Sequence, residues 1–509
     1  MLDRRRFLKL GMAASAAATG LRALPAQGVG PTLHVSRTTH KADLPTSTTC
    51  RMCPAACGIS AYTRNERLIT LMGNPQSALG QGRICAVGLA AINLHYLPDR
   101  ITSPLKRVGP RGSGKFEPIS WAEAVNTLGS ALAQSKGTLV HSEAMDDRIP
   151  APLAAFQRAL PGSKLVSLGT SRRRALDFAA QQAFGLAPPV ADLVRARSIL
   201  CVGANPFEGG RRYIQDAMQI AQARVERGAK LIVIDPRLSN TAGRADIWLP
   251  VRPGGDRLLL AALARELVGL GRIDASLVSL CDVDPARHAQ WPTAEQAEQD
   301  LGLSAGSVAA TARSIADNLP LSVLVADSVA ARPDGDQAAA AAWALAALVG
   351  AIDAEGGLTF PETFGQGETA QPSDPLQAYS ELLDGGGALL LHCANPVYDL
   401  PQGAQLGRAL ADQQRVGMIA AVTPFLNESS MLADIVLPEA LPLECNDMLS
   451  VACGSTPLMA LQRRAVEPMG VALPLRDALN MLCEQSDLGP LLRGLQIEPE
   501  AQWFEATLE

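Results

Sequence analysis

The chain lacks most of what would mark a nucleic-acid binder, a membrane protein or a nicotinamide enzyme. Its 45 Lys and Arg face 50 Asp and Glu, a net charge of −5 over 509 residues. That leaves no basic footprint for nucleic acid. Aromatics are few, at 4% of residues. Beyond an N-terminal segment that ends near Leu24, no apolar run reaches the ~18 residues that suggest a transmembrane helix. The longest, Ala338 to Ile352, is Ala-rich and reads as a buried core helix. No G-x-G-x-x-G stands where a nicotinamide dinucleotide site would need it. No constellation suggests a catalytic triad or paired catalytic carboxylates.

What is present begins with four cysteines. Cys50, Cys53, Cys57 and Cys85 are spaced C-x2-C-x3-C-x27-C. Three thiolates on one loop and a fourth delivered from a distance suit a [4Fe–4S] cluster, which needs four soft sulfur ligands. Zinc is the rival, although structural zinc sites usually come as two C-x2–4-C pairs and no second pair exists here. Unrelated buried cysteines are the third reading, since cysteine is among the most buried residue types. The remaining six, Cys201, Cys281, Cys393, Cys445, Cys453 and Cys483, are scattered and read mostly as small apolar residues.

The N-terminus carries Arg4-Arg5-Arg6-Phe7-Leu8-Lys9 ahead of a weakly apolar, Ala-rich stretch. Residues 1–30 read as a twin-arginine export signal. The expected location is the periplasmic side of the cytoplasmic membrane, a route that suits a protein folded around its cofactor.

At 47% apolar and 19% charged, the chain has material for sizeable cores, and its length suggests about three domains. Short apolar strands alternate with helical stretches: Ser198–Val202, Lys230–Asp235 and Ile247–Val251 first, then Leu321–Val325, Ala388–His392, Val416–Ala421 and Asp434–Leu437. The rhythm is βαβ, which implies parallel sheets covered by helices. Ligands in such sheets bind beyond the carboxyl ends of the strands. Three loops there resemble a nucleotide site: Gly203-Ala204-Asn205-Pro206, Asp235-Pro236-Arg237 and Pro253-Gly254-Gly255-Asp256. They offer an anion seat at a helix N-terminus, carboxylates for hydroxyl or amino groups, a guanidinium for phosphate and close backbone approach. Ordinary βα turns are the alternative. A second Asn-Pro in His392-Cys393-Ala394-Asn395-Pro396 echoes the first and suggests related halves.

In chain order these pieces resemble the molybdopterin oxidoreductase (dimethyl sulfoxide reductase) family. The resemblance rests on the cysteine spacing, Gly73-Asn74-Pro75, Gly82-Arg83-Ile84-Cys85, Tyr96 to Arg100 and Ile119 to Ala124. It continues through the three loops, Ala245-Asp246, Ala433 to Pro438 and Glu444. It implies an α/β fold: a small iron–sulfur domain at 45–105, an α/β domain from 106–167 and 321–509, and an inserted Rossmann-like domain at 168–320. It also implies that Asn205, Asp235, Arg237, Gly254 and Asp256 would hold a molybdopterin guanine dinucleotide.

Three departures qualify it. The family's C-terminal β-barrel lid is expected to be absent. No thiol stands where the family places its metal ligand ahead of Phe184-Gly185, leaving Ser171 as the only plausible oxygen ligand. Val87 occupies the position of the family's basic residue beside the cluster, removing a lever on cluster potential. The expectation is therefore a subunit with one [4Fe–4S] cluster and no molybdenum, in a quinone-linked membrane complex such as alternative complex III. Its partners would be a ferredoxin-like multi-cluster subunit, a membrane quinone-binding subunit and a multihaem cytochrome c. The alternative is a catalytic subunit that binds the dinucleotide and takes its lid from another chain.

Overall fold

The structure is a computed structural model and describes residues 45–144, 148–210, 212–274, 289–360, 373–453 and 456–508, apart from 489–491, 493, 494 and 496. Residues 1–30, read from the sequence as an export signal, Cys281 and most of the loop from Glu355 to Asp374 lie outside the described residues.

Strands β1 (Thr46–Thr49), β2 (Gly58–Arg64) and β3 (Arg67–Gly73) form an antiparallel sheet with the cysteine loop between its first two members. Next come β4 (Leu105–Arg107), β5 (Phe116–Pro118), β6 (Thr138–Ser142) and β7 (Lys164–Val166). With β14 (Ala388–His392), β15 (Met418–Thr423) and β16 (Ile435–Pro438) they build a seven-stranded sheet, ordered β5-β4-β16-β15-β14-β6-β7. Its last five strands are parallel, and β4 and β5 run antiparallel at one edge.

A second sheet comprises β9 (Ser198–Val202), β10 (Lys230–Ile234), β11 (Ile247–Leu249) and β12 (Leu321–Val325), all parallel, in the order β11-β10-β9-β12. The sequence groups Leu321–Val325 with the later strands, but here it pairs with β9. The fourth strand of the inserted sheet therefore comes from beyond residue 320. Two small antiparallel pairs complete the strands among the described residues: β8 (Val190–Ala191) with β13 (Leu358–Thr359), and the hairpin β17 (Asp447–Cys453) with β18 (Thr456–Gln462).

The central strands are continuous aliphatic runs, buried along their whole length in β9 and β14. Strands covered on both faces by helices carry this pattern. Helix ends follow local chemistry. Ser120 accepts a hydrogen bond from the Glu123 amide at 3.1 Å and caps Trp121–Gln134, while Gly228, at φ 64°, closes Tyr213–Arg227. Among the described residues no helix is long and apolar enough to cross a membrane, and no barrel closes.

The two parallel sheets share one plan. In each, an Ala-Asp-Ile-x-Leu-Pro segment enters the strand at one end of the parallel run: Ala245 to Pro250 into β11, and Ala433 to Pro438 into β16. The Asp caps the neighbouring strand in both. Asp246 accepts from the Leu231 amide at 2.9 Å, and Asp434 from the Ile419 amide at 2.9 Å. Asp434 also holds Arg107 at 2.7 Å and Arg111 at 2.6 Å. Burial alone would raise its carboxyl, but Arg111, the Ile419 amide and Arg107 keep it below the usual range. An Asn-Pro loop follows the central strand in both sheets. The sequence showed the repeated Asn-Pro, and the topology extends the likeness to four strands each.

Candidate functional site

Two sets of groups stand out: the cysteine loop, and the loops at the carboxyl ends of the parallel strands. The cysteine loop leaves β1 and returns as β2. The Cys50 amide donates to the Cys57 carbonyl at 2.8 Å, closing the loop on itself. Ala56, at φ 49°, makes the last bend in a region that costs an L-residue about 1 kcal/mol or more. Cys85 arrives from the far side as N-cap of the helix Ala86–His95, its sulfur accepting from the Gly88 amide at 3.4 Å. Gly88 must be small: a Cβ there would meet Ile84 at 2.8 Å and the Cys50 sulfur at 3.5 Å.

Burial first, and then the neighbouring cysteines, push the Cys50 thiol up to about 11 and the Cys57 thiol up to about 12. Cys50 and Cys57 are therefore poor thiolates by themselves. Iron supplies the positive charge that makes four thiolates acceptable in so small a volume. The donor set fits a [4Fe–4S] group held by Cys50, Cys53, Cys57 and Cys85, which would supply one-electron transfer.

The surroundings of this loop come from distant parts of the chain. Gln215, on the helix Tyr213–Arg227, donates to the Ala55 carbonyl at 2.5 Å and reaches the Cys57 sulfur at 3.9 Å. The hairpin β17–β18 covers the other side. Thr49 donates to the Leu461 carbonyl at 2.7 Å, and Arg51 pairs with Asp447 at 2.6 Å and donates to Gln462 at 3.0 Å. Behind it, Glu444 is fully buried, paired with Arg100 through both carboxylate oxygens and 3.2 Å from His95. Sequence reasoning missed Gln215 and the hairpin, since neither carries a local signal. Val87 is 54% exposed on the first turn after Cys85, so its aliphatic side chain projects outward beside the cysteine nest.

The strand-end loops are organised by a residue that the sequence reading passed over. Glu208 accepts from Asn205 Nδ2 at 2.7 Å, from Arg237 at 2.7 Å and from the Asn240 amide at 2.6 Å. The Asn240 amide and then Arg237 hold its carboxyl below the usual range. Asn205, Asp235 and Arg237 are thus brought together, with Asp235 accepting from the Arg237 amide at 2.8 Å. Gly254, at φ 90°, and Asp256 follow β11 and line an open cleft of about 590 Å³ with Arg257, Trp291 and Arg332. Asp256 is buried and pairs with Arg332, not with the other two loops. The polar groups of these loops already find partners within the protein, so a nucleotide would compete for them. The side chains of Ser171 and of Arg172 to Arg174 lie outside what the structure describes.

The second Asn-Pro loop repeats the arrangement. Asn395 Nδ2 donates to Glu428 at 2.6 Å, and its Oδ1 accepts from the Ser429 hydroxyl at 2.8 Å. In the first loop Glu208 and the Thr241 hydroxyl take those places. His392 is buried at the end of β14 between Ser142 and Glu439.

Residues 100–485 match the family model described as molybdopterin oxidoreductase, and residues 45–96 match the molybdopterin oxidoreductase Fe4S4 domain. Among curated relatives, the chain is 26% identical to the thiosulfate reductase molybdopterin-containing subunit PhsA of Salmonella typhimurium, over 96% of this chain and 70% of that protein. It is 28% identical to the menaquinone reductase, molybdopterin-binding-like subunit, of Nitratidesulfovibrio vulgaris, over 85% of this chain and 64% of that protein. Acetylene hydratase from Pelobacter acetylenicus has a similar fold. The TM-score is 0.74 at 18% identity, covering 87% of this chain and 70% of that one.

Proposed function

This chain belongs to the molybdopterin oxidoreductase family, and from that premise we propose that it is an electron-transfer or structural subunit of a quinone-linked respiratory complex. One [4Fe–4S] cluster on Cys50, Cys53, Cys57 and Cys85 would be its working cofactor, with no molybdenum. The observation that carries the reading is the contrast between the two sites. Four coupled sulfurs call for a cationic cluster, whereas Asn205, Arg237 and Asp256 are already engaged with Glu208 and Arg332. The exposed aliphatic Val87 beside Cys85 agrees with it, as does the likeness to a menaquinone reductase subunit.

Twin arginines near the N-terminus favour work on the periplasmic side of the cytoplasmic membrane. Partners of matching chemistry are a ferredoxin-like multi-cluster subunit, a membrane quinone-binding subunit and a multihaem cytochrome c. The cleft beside Gly254 and Asp256 favours a second reading, a catalytic subunit that seats molybdopterin guanine dinucleotide on Asn205, Asp235, Arg237, Gly254 and Asp256, with Ser171 on the metal.

Metal analysis of the native assembly separates them. About four iron atoms per chain with no molybdenum or tungsten supports the first reading; a full equivalent of either metal overturns it. Replacing Cys57 by Ser should strip the iron, and unchanged iron content would sink the cluster assignment.

A further inference from the structure

The shared plan of the two sheets makes their differences informative. β14 in one sheet corresponds to β9 in the other. Each has two parallel strands on one side, the farther one entered by Ala-Asp-Ile-x-Leu-Pro, and on the other side a parallel neighbour, β6 or β12. The residue ending the central strand is Val202 in one and His392 in the other. The next residue, which starts the Asn-Pro loop, is Gly203 in one and Cys393 in the other, at φ 62° and φ 52°. The residue after the Leu-Pro is Val251 in one and Glu439 in the other. The residue paired across to the central strand's end is Val325 in one and Ser142 in the other. A position built by one valine-and-glycine set in the first sheet thus carries imidazole, thiol, carboxylate and hydroxyl in the second.

The fold does not need these groups, since the first sheet adopts the same arrangement without them. Cys393 also carries a backbone cost: it sits in the left-handed region where its counterpart is glycine, at about 1 kcal/mol or more. The three potential ligand atoms, on His392, Cys393 and Glu439, all lie within 4.8 Å of one another. Glu439 accepts from His392 Nε2 at 3.0 Å and from the Cys393 thiol at 3.1 Å. Ligands 2.0–2.3 Å from zinc stand roughly 3.3–3.8 Å apart in a tetrahedron, so little movement would be required. Ser142 Oγ lies 2.8 Å from His392 Nδ1. A hydroxyl both donates and accepts. It can therefore serve the metal-free tautomer, where it donates to Nδ1, and the metal-bound one, where it accepts from Nδ1–H and frees Nε2.

The geometry points to a zinc-class divalent cation site formed by His392, Cys393 and Glu439, oriented by Ser142 and separate from the four-cysteine nest. Binding one Zn²⁺ forms bonds to imidazole nitrogen, thiolate sulfur and carboxylate oxygen and releases the thiol proton to solvent. Three protein ligands leave a fourth position for water or an exogenous ligand. That position would lie at the carboxyl edge of the seven-stranded sheet, where open α/β sheets bind ligands.

The test uses the full chain with its iron–sulfur cluster in place, treated with a mild chelator and then dialysed against Zn²⁺, with zinc and iron counted together. Co²⁺ in place of Zn²⁺ reports thiolate ligation through a near-ultraviolet charge-transfer band. The expected result is one zinc per chain with iron unchanged, and a cobalt–thiolate band that disappears in Cys393→Ser. Ser142→Ala should weaken binding about 10–100-fold, as loss of a ligand's orienting partner does. His392→Gln should abolish the site. Glu439→Gln keeps the shape of the network and serves if another variant loses its iron or its fold. The proposal is overturned if the cluster-loaded protein takes up no zinc, if zinc enters only as iron leaves, or if uptake is the same in Cys393→Ser, His392→Gln and Glu439→Gln.

Discussion

The inserted sheet and the seven-stranded sheet solve the same packing problem with different polar groups. Both enter the end strand of the parallel run through Ala-Asp-Ile, and both turn the central strand into an Asn-Pro loop braced by a glutamate and a hydroxyl. In the inserted sheet the capping Asp246 is 28% exposed and sees Arg224 at 3.3 Å and Lys230 at 3.7 Å. In the seven-stranded sheet the equivalent Asp434 is only 13% exposed and holds two arginines, one of them buried. What repeats is what the backbone requires, namely a carboxylate to cap a strand and a side chain to tie a loop. What differs, at Val202 against His392, Gly203 against Cys393 and Val251 against Glu439, is free to serve something else.

The comparison can be broken at its strongest point. Asp434→Ala leaves Arg111 without its buried carboxylate and should cost about 3–5 kcal/mol in urea unfolding. A loss as small as that of a surface pair would mean that the aspartate is not the clamp of its sheet. Asp434 also sets an acid dependence. Because its carboxyl is held below the usual range, its contribution is complete above the unfolded value and is lost as pH falls through the lowered folded one. Asp434→Asn should therefore flatten the acid limb of stability against pH.

Asp246→Ala, with half-exposed partners, should cost less, about 1–2 kcal/mol, most of it from the Leu231 amide left without an acceptor. Equal costs for the two variants would remove the asymmetry between the sheets.

Asp235→Ala sharpens the functional side of the contrast. It should cost about 1 kcal/mol through the Arg237 amide and leave iron content unchanged. A fall in bound pterin on the same substitution would show that the inserted sheet does hold a dinucleotide.

The smallest effect is redox. Gln215→Leu removes an N–H that reaches the Cys57 sulfur, and a donor there favours the more negative, reduced cluster. The midpoint potential should fall by roughly 30–60 mV, at ~59 mV per tenfold change for one electron. Redox titration followed by electron paramagnetic resonance reads it, and an unchanged potential would make Gln215 a packing residue only.

Spacing along the chain determined a good deal by itself. The four cysteines could be picked out because three lie within eight residues, and local spacing limits which sulfurs can share a small volume. The strands Ser198–Val202, Leu321–Val325 and Ala388–His392 were legible to the residue, since aliphatic runs bounded by turn residues have few other uses. The order of those strands was not legible. Which sheet takes Leu321–Val325 depends on pairing energies between segments more than a hundred residues apart, and no local pattern records them. For the same reason only the tertiary structure placed Gln215 over Cys57, closed β17–β18 over the cysteine loop, and buried Glu444 against Arg100. It also decided that His392, Cys393 and Glu439 share one point in space. Sequence determines which groups are available and what each can do chemically; only the packing of distant strands brings them within bonding distance.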